Sequence, residues 1–350
     1  MLRTFIALIA LAAPLYGQGF AGLGTDAPGF AIPAPDPEFS FPDDHGPHPE
    51  YRIEWWYLTA TLEGADGRDY GVQWTLFRSA LAPVTAEGWG APQLFMGHAG
   101  LTTEDAHFSA ERLARGGIGQ AGVTAVPFVA HIDDWRMRST VTEGDALDAL
   151  ALSARGMDFA YDLALTANGP LIFHGDGGYS VKSAEGQASY YYSQPFYAVT
   201  GTLELPEGPV EVTGTAWLDR EWSSQPLSED QAGWDWFSLQ FSDGARMMAF
   251  GLRATDGTTF TSATWIESDG TTQSYGDTAV ILTPLGTTSV AGRDVPTEWR
   301  VEFPERELDI TTRPINPQSW MNTSFPYWEG PITFTGSHTG RGYLEMTGYE

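Results

Sequence analysis

From residue 51 to the end of the chain, apolar and aromatic side chains come in short runs separated by turn residues, and a sustained 3.6-residue period is almost absent. Residues 52–62 are β-branched and aromatic, residues 63–67 carry the turn signal EGADG, and residues 70–78 return with the same character, which predicts a hairpin. Similar strand-like runs recur at 159–165, 214–222, 234–241 and 247–253. Asp243-Gly244, Asp256-Gly257 and Asp269-Gly270 sit where hairpin turns belong. Residues 103–115 form the best candidate for a helical or irregular stretch. Many short antiparallel strands predict an all-β sandwich or up-and-down barrel. A length of 350 residues suits two antiparallel β-barrel domains packed together. The boundary is expected near residue 200, giving an N-terminal domain over 51–200 and a C-terminal domain over 201–350. The halves share a Trp-rich strand style without a clean internal repeat.

Ahead of the strands, residues 18–50 are rich in Gly, Pro and Ala and read as an extended lead-in, because closely spaced prolines prevent long regular elements. Residues 1–17 read as a signal peptide: Arg3, an apolar run over 4–13, and a small-residue exit at 14–17, with cleavage expected near Gly17 or Gly19. The run is too short to span a bilayer. No cysteine follows it to carry a lipid anchor. The expected setting is periplasmic or secreted, without stable membrane insertion.

Composition narrows the function. The formal net charge of -27 repels phosphate backbones and anionic headgroups, which argues against nucleic acid as a partner and reads most simply as solubility. Aromatics reach 13% of the chain, with 13 Trp, and such side chains are large, rigid wall material. With no cysteine, disulfides, thiol nucleophiles and thiolate metal sites are excluded. Two GxGxxG matches, at 17–22 and 117–122, lack the strand–turn–helix context of a dinucleotide site. Neither a GxSxG elbow nor an HExxH motif occurs. No cofactor and no metal are expected, and no oligomeric state follows from the sequence.

Strand alternation sorts the candidate chemistry, because alternate side chains share a face. In Glu54-Trp55-Trp56-Tyr57, Glu54 and Trp56 share one face while Trp55 and Tyr57 share the other. Glu54 is therefore either satisfied by backbone amides or an arginine, or available as an acid with a raised pKa. In Trp217-Leu218-Asp219-Arg220-Glu221-Trp222, one wall carries an indole and two acids. That is the pattern of a proton donor beside an apolar ligand, or of a structural Asp–Arg pair. Trp234 and Trp236 share a face opposite Asp235, and Tyr190, Tyr191 and Tyr192 alternate sides, so that some hydroxyls can face a cavity; ordinary wall packing is the competing reading for both. His98 stands in an apolar segment, where a satisfied core histidine is the usual finding, and spacing supplies no further ligands for a metal.

These segments also carry a resemblance. PDDHGPHPEYRIEWWY at 42–57, YGVQWTLFR at 70–78, SYYYS at 189–193, AWLDREW at 216–222, GWDW at 233–236 and GRGYLEMTGY at 340–349 occur in the order found in the carotenoid 1,2-hydratase (hydroxyneurosporene synthase) and AttH-like secreted proteins. The resemblance covers about residues 40–350. It implies two lipocalin-like barrels and a large hydrophobic, isoprenoid or lipid-like ligand. In that family the carotenoid hydratases add water across a terminal alkene without a cofactor, fungal relatives of similar fold cyclise polyketides, and many secreted members are described only as predicted hydrolases. Asp219 is the position that matches the hydratases' proposed catalytic residue.

The expected function is thus hydration of an alkene in a hydrophobic ligand by acid–base catalysis. Asp219, Glu221 or Glu54 would supply the proton. Trp217 and Trp234 would face the resulting cation, with Trp55, Tyr57 and Trp236 as further ligand-binding walls. Tyr191, Tyr192 or His98 would position the water. The alternatives are a non-catalytic lipocalin-like carrier and a secreted hydrolase, the latter without a nucleophile–base motif.

Overall fold

The computed structural model describes residues 27–225 and 230–349. The expected signal peptide at 1–17 and its cleavage point lie outside the described residues. The chain folds into two curled, nearly closed antiparallel sheets that form barrel-like domains.

The first sheet is built from β1 (Ile53–Gly64), β2 (Asp69–Ala80), β3 (Gln93–Thr102), β4 (His107–Arg115), β5 (Ala121–Thr124), β6 (Val129–Ile132), β7 (Trp135–Ser139), β8 (Ala149–Arg155), β9 (Ala160–Ala167), β10 (Ile172–Phe173), β11 (Tyr179–Val181), β12 (Ala188–Leu205) and β13 (Gly208–Ser223). The second contains β14 (Gln231–Phe241), β15 (Arg246–Ala254), β16 (Thr259–Ile266), β17 (Thr272–Tyr275), β18 (Ile281–Val290), β19 (Arg293–Phe303), β20 (Leu308–Pro314), β21 (Trp320–Met321), β22 (Tyr327–Gly336) and β23 (Gly340–Met346).

Both sheets follow one plan. In each, the first strand pairs with the last, β1 with β13 and β14 with β23. A four-strand meander runs out on one side, and the remaining strands run out on the other. The topology therefore repeats where the sequence shows no repeat.

Two expectations change here. The switch from first to second sheet falls after Ser223, not near residue 200. β12 and β13 are long strands of the first sheet, and Gly201 inside β12 marks backbone crowding rather than a linker: a Cβ there would lie 2.2 Å from the Asp162 carbonyl oxygen. Residues 107–115 form β4 rather than a helix. Phe108, Ala110 and Ala114 alternate onto the first core, so the period of two set by pairing with β3 prevails.

The hairpin turns at Asp243-Gly244, Asp256-Gly257 and Asp269-Gly270 share one construction. Each Gly takes a positive φ between 88° and 96°. Each Asp Oδ1 accepts the amide of the residue two positions on, at 2.8–3.0 Å.

Residues 27–50 contain one 3-10 turn (Asp43–His45) and otherwise run without regular elements, closing an end of the first barrel. Phe39 lies 4.9 Å from the Phe173 ring and meets Tyr190, Tyr192 and Trp222 edge-on. Each barrel has its own apolar core, and a third cluster, which includes Tyr57, Tyr191, Trp217, Trp236, Phe250 and Tyr343, fills the contact between barrels. There β1 and β2 lie against β23 and β22. Gly71 permits the approach, since a Cβ on it would stand 2.5 Å from Pro331 Cγ.

Candidate active site

Alternation on two central strands decides which side chains reach the barrel interface. On β1, Trp56 and Leu58 enter the first core, while Ile53, Trp55 and Tyr57 face the second barrel. On β13, Leu218 and Trp222 enter the core, while Asp219 and Glu221 face outward with Ile53, Trp55 and Tyr57. β14 brings Trp234 and Trp236 from the other side, and β23 with the residue that follows it brings Glu345 and Thr347. Between them lies a cavity of about 170 Å³. Phe250, Leu252, Phe325 and Tyr327 extend its walls. A mostly apolar cleft with a few convergent polar groups is the usual form of a small-molecule site.

Asp219 is fully desolvated on this wall. Its Oδ1 accepts Trp217 Nε1–H at 2.7 Å and the Ser193 hydroxyl, and the Tyr191 hydroxyl also bonds to the carboxyl. Ser193 Oγ in turn lies 2.6 Å from His174 Nε2, whose Nδ1 is 2.9 Å from Thr264 Oγ1 on the second barrel. No cation pairs with Asp219 among the described residues. Burial, with Glu221 nearby as a like charge, pushes its carboxyl up to about 7 despite these hydrogen bonds. Glu221 is held differently, by Lys182 Nζ at 2.8 Å and by the Ser189 hydroxyl. Lys182 also lies 4.5 Å from the ring centroids of both Tyr191 and Phe250.

On the opposite wall, Glu345 Oε1 accepts Trp234 Nε1–H at 2.6 Å. Burial raises this carboxyl to about 7 as well. The Tyr57 hydroxyl donates to Glu329, which is buried between Tyr57 and Tyr327. The cavity thus presents three carboxyl groups against one permanently charged lining cation, Lys182.

Of the expected site residues, Asp219, Glu221, Trp55, Tyr57, His98, Tyr191, Trp234 and Trp236 come together around this cavity. Trp217 stands behind the wall as a hydrogen-bond donor to Asp219. Glu54 and Tyr192 point away, into the first barrel. Glu54 accepts Arg78 Nε–H at 2.8 Å and Arg220 Nη2–H at 2.7 Å, and lies 2.6 Å from His48 Nδ1. Burial alone would raise its carboxyl, but the charges of His48, Arg78 and Arg220 hold it well below the usual range, so Glu54 is an ionised anchor and not a proton donor. Arg220 accordingly serves Glu54 rather than Asp219. Tyr192 is committed to His45 Nδ1 at 2.8 Å and to the Asp44 carbonyl. His98 reaches the cavity edge with both ring nitrogens occupied, Nδ1 by the Tyr327 hydroxyl at 3.0 Å and Nε2 by Glu111 at 3.2 Å, and burial lowers its pKa.

Sequence reasoning gave no role to Lys182, which closes a candidate segment at 178–182, and missed His174, Glu345, Glu329 and Tyr327. Alternation in Tyr343-Leu344-Glu345-Met346 carried a signal for Glu345, since Leu344 and Met346 fill the second core. His174 and Glu329 become site residues only through contacts between barrels. Among the described residues, no group of three or more His, Asp or Glu side chains is arranged to hold a metal ion.

Fold and cavity together define a two-barrel protein with an acid-bearing, aromatic-walled site at the barrel interface. The chain belongs to the AttH-like family, whose model matches residues 32–349. It is similar to the crystal structure of an AttH protein from Nitrosomonas europaea, with 33% identity and a TM-score of 0.81 over 92% of this chain and all of the other. Kievitone hydratase from Nectria haematococca shares the fold at 15% identity, with a TM-score of 0.68 over 91% of this chain and 96% of that one. CghA shares it at 14% identity, with a TM-score of 0.54 over 92% and 94%. No curated protein matches the sequence.

Proposed function

We propose that the protein is a cofactor-independent hydratase acting on a large, neutral, unsaturated ligand, with Asp219 as the general acid, and that it works outside the cytoplasm, as the signal-peptide-like start suggests. The observation that carries this reading is a fully buried carboxyl, raised to about 7 and without a cationic partner among the described residues, on the wall of an aromatic cavity. A carboxyl in that state is protonated often enough near neutrality to donate. Transfer of its proton to an alkene carbon forms the new C–H bond and leaves a carbocation. Trp55, Trp234 and Trp236 line the space in which that cation forms, and indole faces stabilise cations. A water then adds its oxygen to the cation and gives up a proton. The mostly apolar walls disfavour ligands that carry a charge of their own, since burying an unpaired charge is costly. A hydratase of the same fold is in keeping with this chemistry.

The test begins with mass spectrometry of the organic extract from protein purified out of its native host, followed by incubation of the extracted compound in heavy-oxygen water. Incorporation of the label into product by the wild type, and its loss in Asp219→Asn with binding retained, is the expected result. An extracted ligand that the protein binds and returns unchanged would instead make it a carrier.

A further inference from the structure

Two hydrogen-bond donors meet on one oxygen of Asp219. Trp217 Nε1–H reaches Oδ1 at 2.7 Å, and the Ser193 hydroxyl donates to the same atom. Behind Ser193 stands His174, with Nε2 2.6 Å from Ser193 Oγ and Nδ1 2.9 Å from Thr264 Oγ1. Trp217, Ser193, His174 and Thr264 are all buried. Ser193 lies on β12, His174 directly after β10, and Thr264 on β16, so the line that starts at Asp219 ends in the second barrel. His174 is fixed in place by its neighbour Tyr191. Its amide donates to the Tyr191 carbonyl at 3.1 Å, and its ring lies 4.2 Å from the Tyr191 ring, centre to centre.

The chemistry of the groups sets the direction of every bond in this line. An indole N–H can only donate, and at 2.7 Å it selects the better acceptor of a protonated carboxyl, the carbonyl-type oxygen. Oδ1 is therefore the bare oxygen, and Ser193 spends its single proton on it. The Ser193 oxygen is left to accept from His174, so Nε2 must carry a proton. Burial, with the Lys182 charge nearby, holds the His174 pKa far below its ordinary value and keeps the ring neutral. A neutral imidazole carries one N–H, so Nδ1 is bare and accepts the Thr264 hydroxyl. Donors thus point without a break from the second barrel to Asp219. The titratable and charged groups around Asp219 are His174, Glu221 on the same strand, Tyr57 opposite on β1, Tyr191 on β12, Lys182 held on Glu221, and Glu345 across the cavity.

We propose that His174 is a positioning residue for Asp219: fixed by Thr264 as the tautomer protonated at Nε2, it turns the Ser193 hydroxyl onto Oδ1 and so makes Oδ2 the oxygen that carries the transferable proton. When Oδ2 releases that proton, the same two donors stay on Oδ1 and stabilise the carboxylate. The role in catalysis rests on Asp219 being the acid of the hydration scheme. The direction of the hydrogen bonds does not. Because Thr264 belongs to the second barrel, the acid is set only when the two barrels are docked.

The test reads the network without a substrate. Nitrogen NMR of the full-length protein, with isotope-labelled histidine, reports which ring nitrogen carries the proton. His174→Gln identifies the His174 signals by their loss. The expected result at neutral pH is a neutral ring protonated at Nε2, with its Nδ1 signal displaced in Thr264→Val. A proton on Nδ1 would overturn the proposal, because the bonds would then run away from Asp219. Infrared titration follows the Asp219 carboxyl as the band absent from Asp219→Asn. Ser193→Ala, which removes one donor from Oδ1, should raise its midpoint by about one pH unit. His174→Leu should raise it by less, and His174→Gln, whose amide can still donate to Ser193, should bring it back toward wild type. A side chain that only packs would leave the midpoint in place and gain nothing from glutamine. A midpoint unmoved in both Ser193→Ala and His174→Leu would therefore overturn the role. Thr264→Val deletes one hydroxyl and carries the NMR test if the His174 variants do not fold. Failure of the hydration scheme would show separately, as label incorporation surviving in Asp219→Asn.

Discussion

Tyr57 on β1 stands directly opposite Asp219 on β13 in the strand register, yet the two side chains belong to different networks. Asp219 bonds within the first barrel, to Ser193, Trp217 and Tyr191. Tyr57 reaches across to Glu329 and Glu345 of the second. One cross-strand pair thus brings both acids to the same cavity while keeping their hydrogen bonds apart. Such separation lets two carboxyl groups divide the acid and base roles of one reaction.

In the proposed role of general acid Asp219 must be protonated, so turnover is expected to fall as pH rises through about 7. Glu221 contributes to that elevated value as a like charge. Glu221→Gln should therefore move the falling limb of the pH–rate profile to lower pH. A limb that stays in place would mean that another group supplies the proton.

The same elevation affects stability. Because folding raises the Asp219 pKa, the native state binds the proton more tightly than the unfolded chain. The resulting stabilisation is complete below the ordinary carboxylate range and is lost as pH rises through about 7. Asp219→Asn, which keeps the shape without the charge, should be more stable than wild type above neutrality by on the order of a few kcal/mol. The difference should close toward acid pH. Urea unfolding across that range measures it, and a less stable Asn variant in alkali would contradict the desolvation account.

Glu54 has the opposite sign. Its carboxyl is held below the usual range by two buried guanidinium groups and His48, so its contribution is present above the ordinary carboxylate range and lost as pH falls through the depressed value. Glu54→Gln should destabilise the fold by about 3–5 kcal/mol at neutral pH, because Arg78 and Arg220 stay buried without their anion. Chemical denaturation would show it. The cavity acids should retain their infrared titrations in the folded variant, since Glu54 faces the other way.

Gly71 offers a test of how closely the barrels must pack. A Cβ at 2.5 Å from Pro331 cannot be accommodated unless one sheet shifts. Gly71→Ala is expected to cost about 1–3 kcal/mol in unfolding free energy, as overpacking typically does. A neutral result would show that the interface yields easily.

The strand alternation that the sequence displays determined much of this protein. Period-two patterning assigned Trp55 and Tyr57 to one face and Glu54 to the other, and put Trp217, Asp219 and Glu221 on one face of β13, because adjacent strand residues must point oppositely. The three Asp-Gly turns were equally legible, since a positive φ and an Asx hydrogen bond are local demands. Local pattern could not say which face meets what. Glu54 and Asp219 look alike in sequence, each a carboxyl among indoles on a strand. One meets two arginines inside a barrel and ionises, while the other is buried at the second barrel without a cation and has its pKa raised to about 7. The contacts that tie Tyr327 to His98 and His98 to Glu111 join strands of both sheets, so no sequence window contains them. Which carboxyl has its pKa raised and which has it lowered is decided by the solvent and charge each loses or gains when the chain folds, and that is a property of the tertiary structure alone.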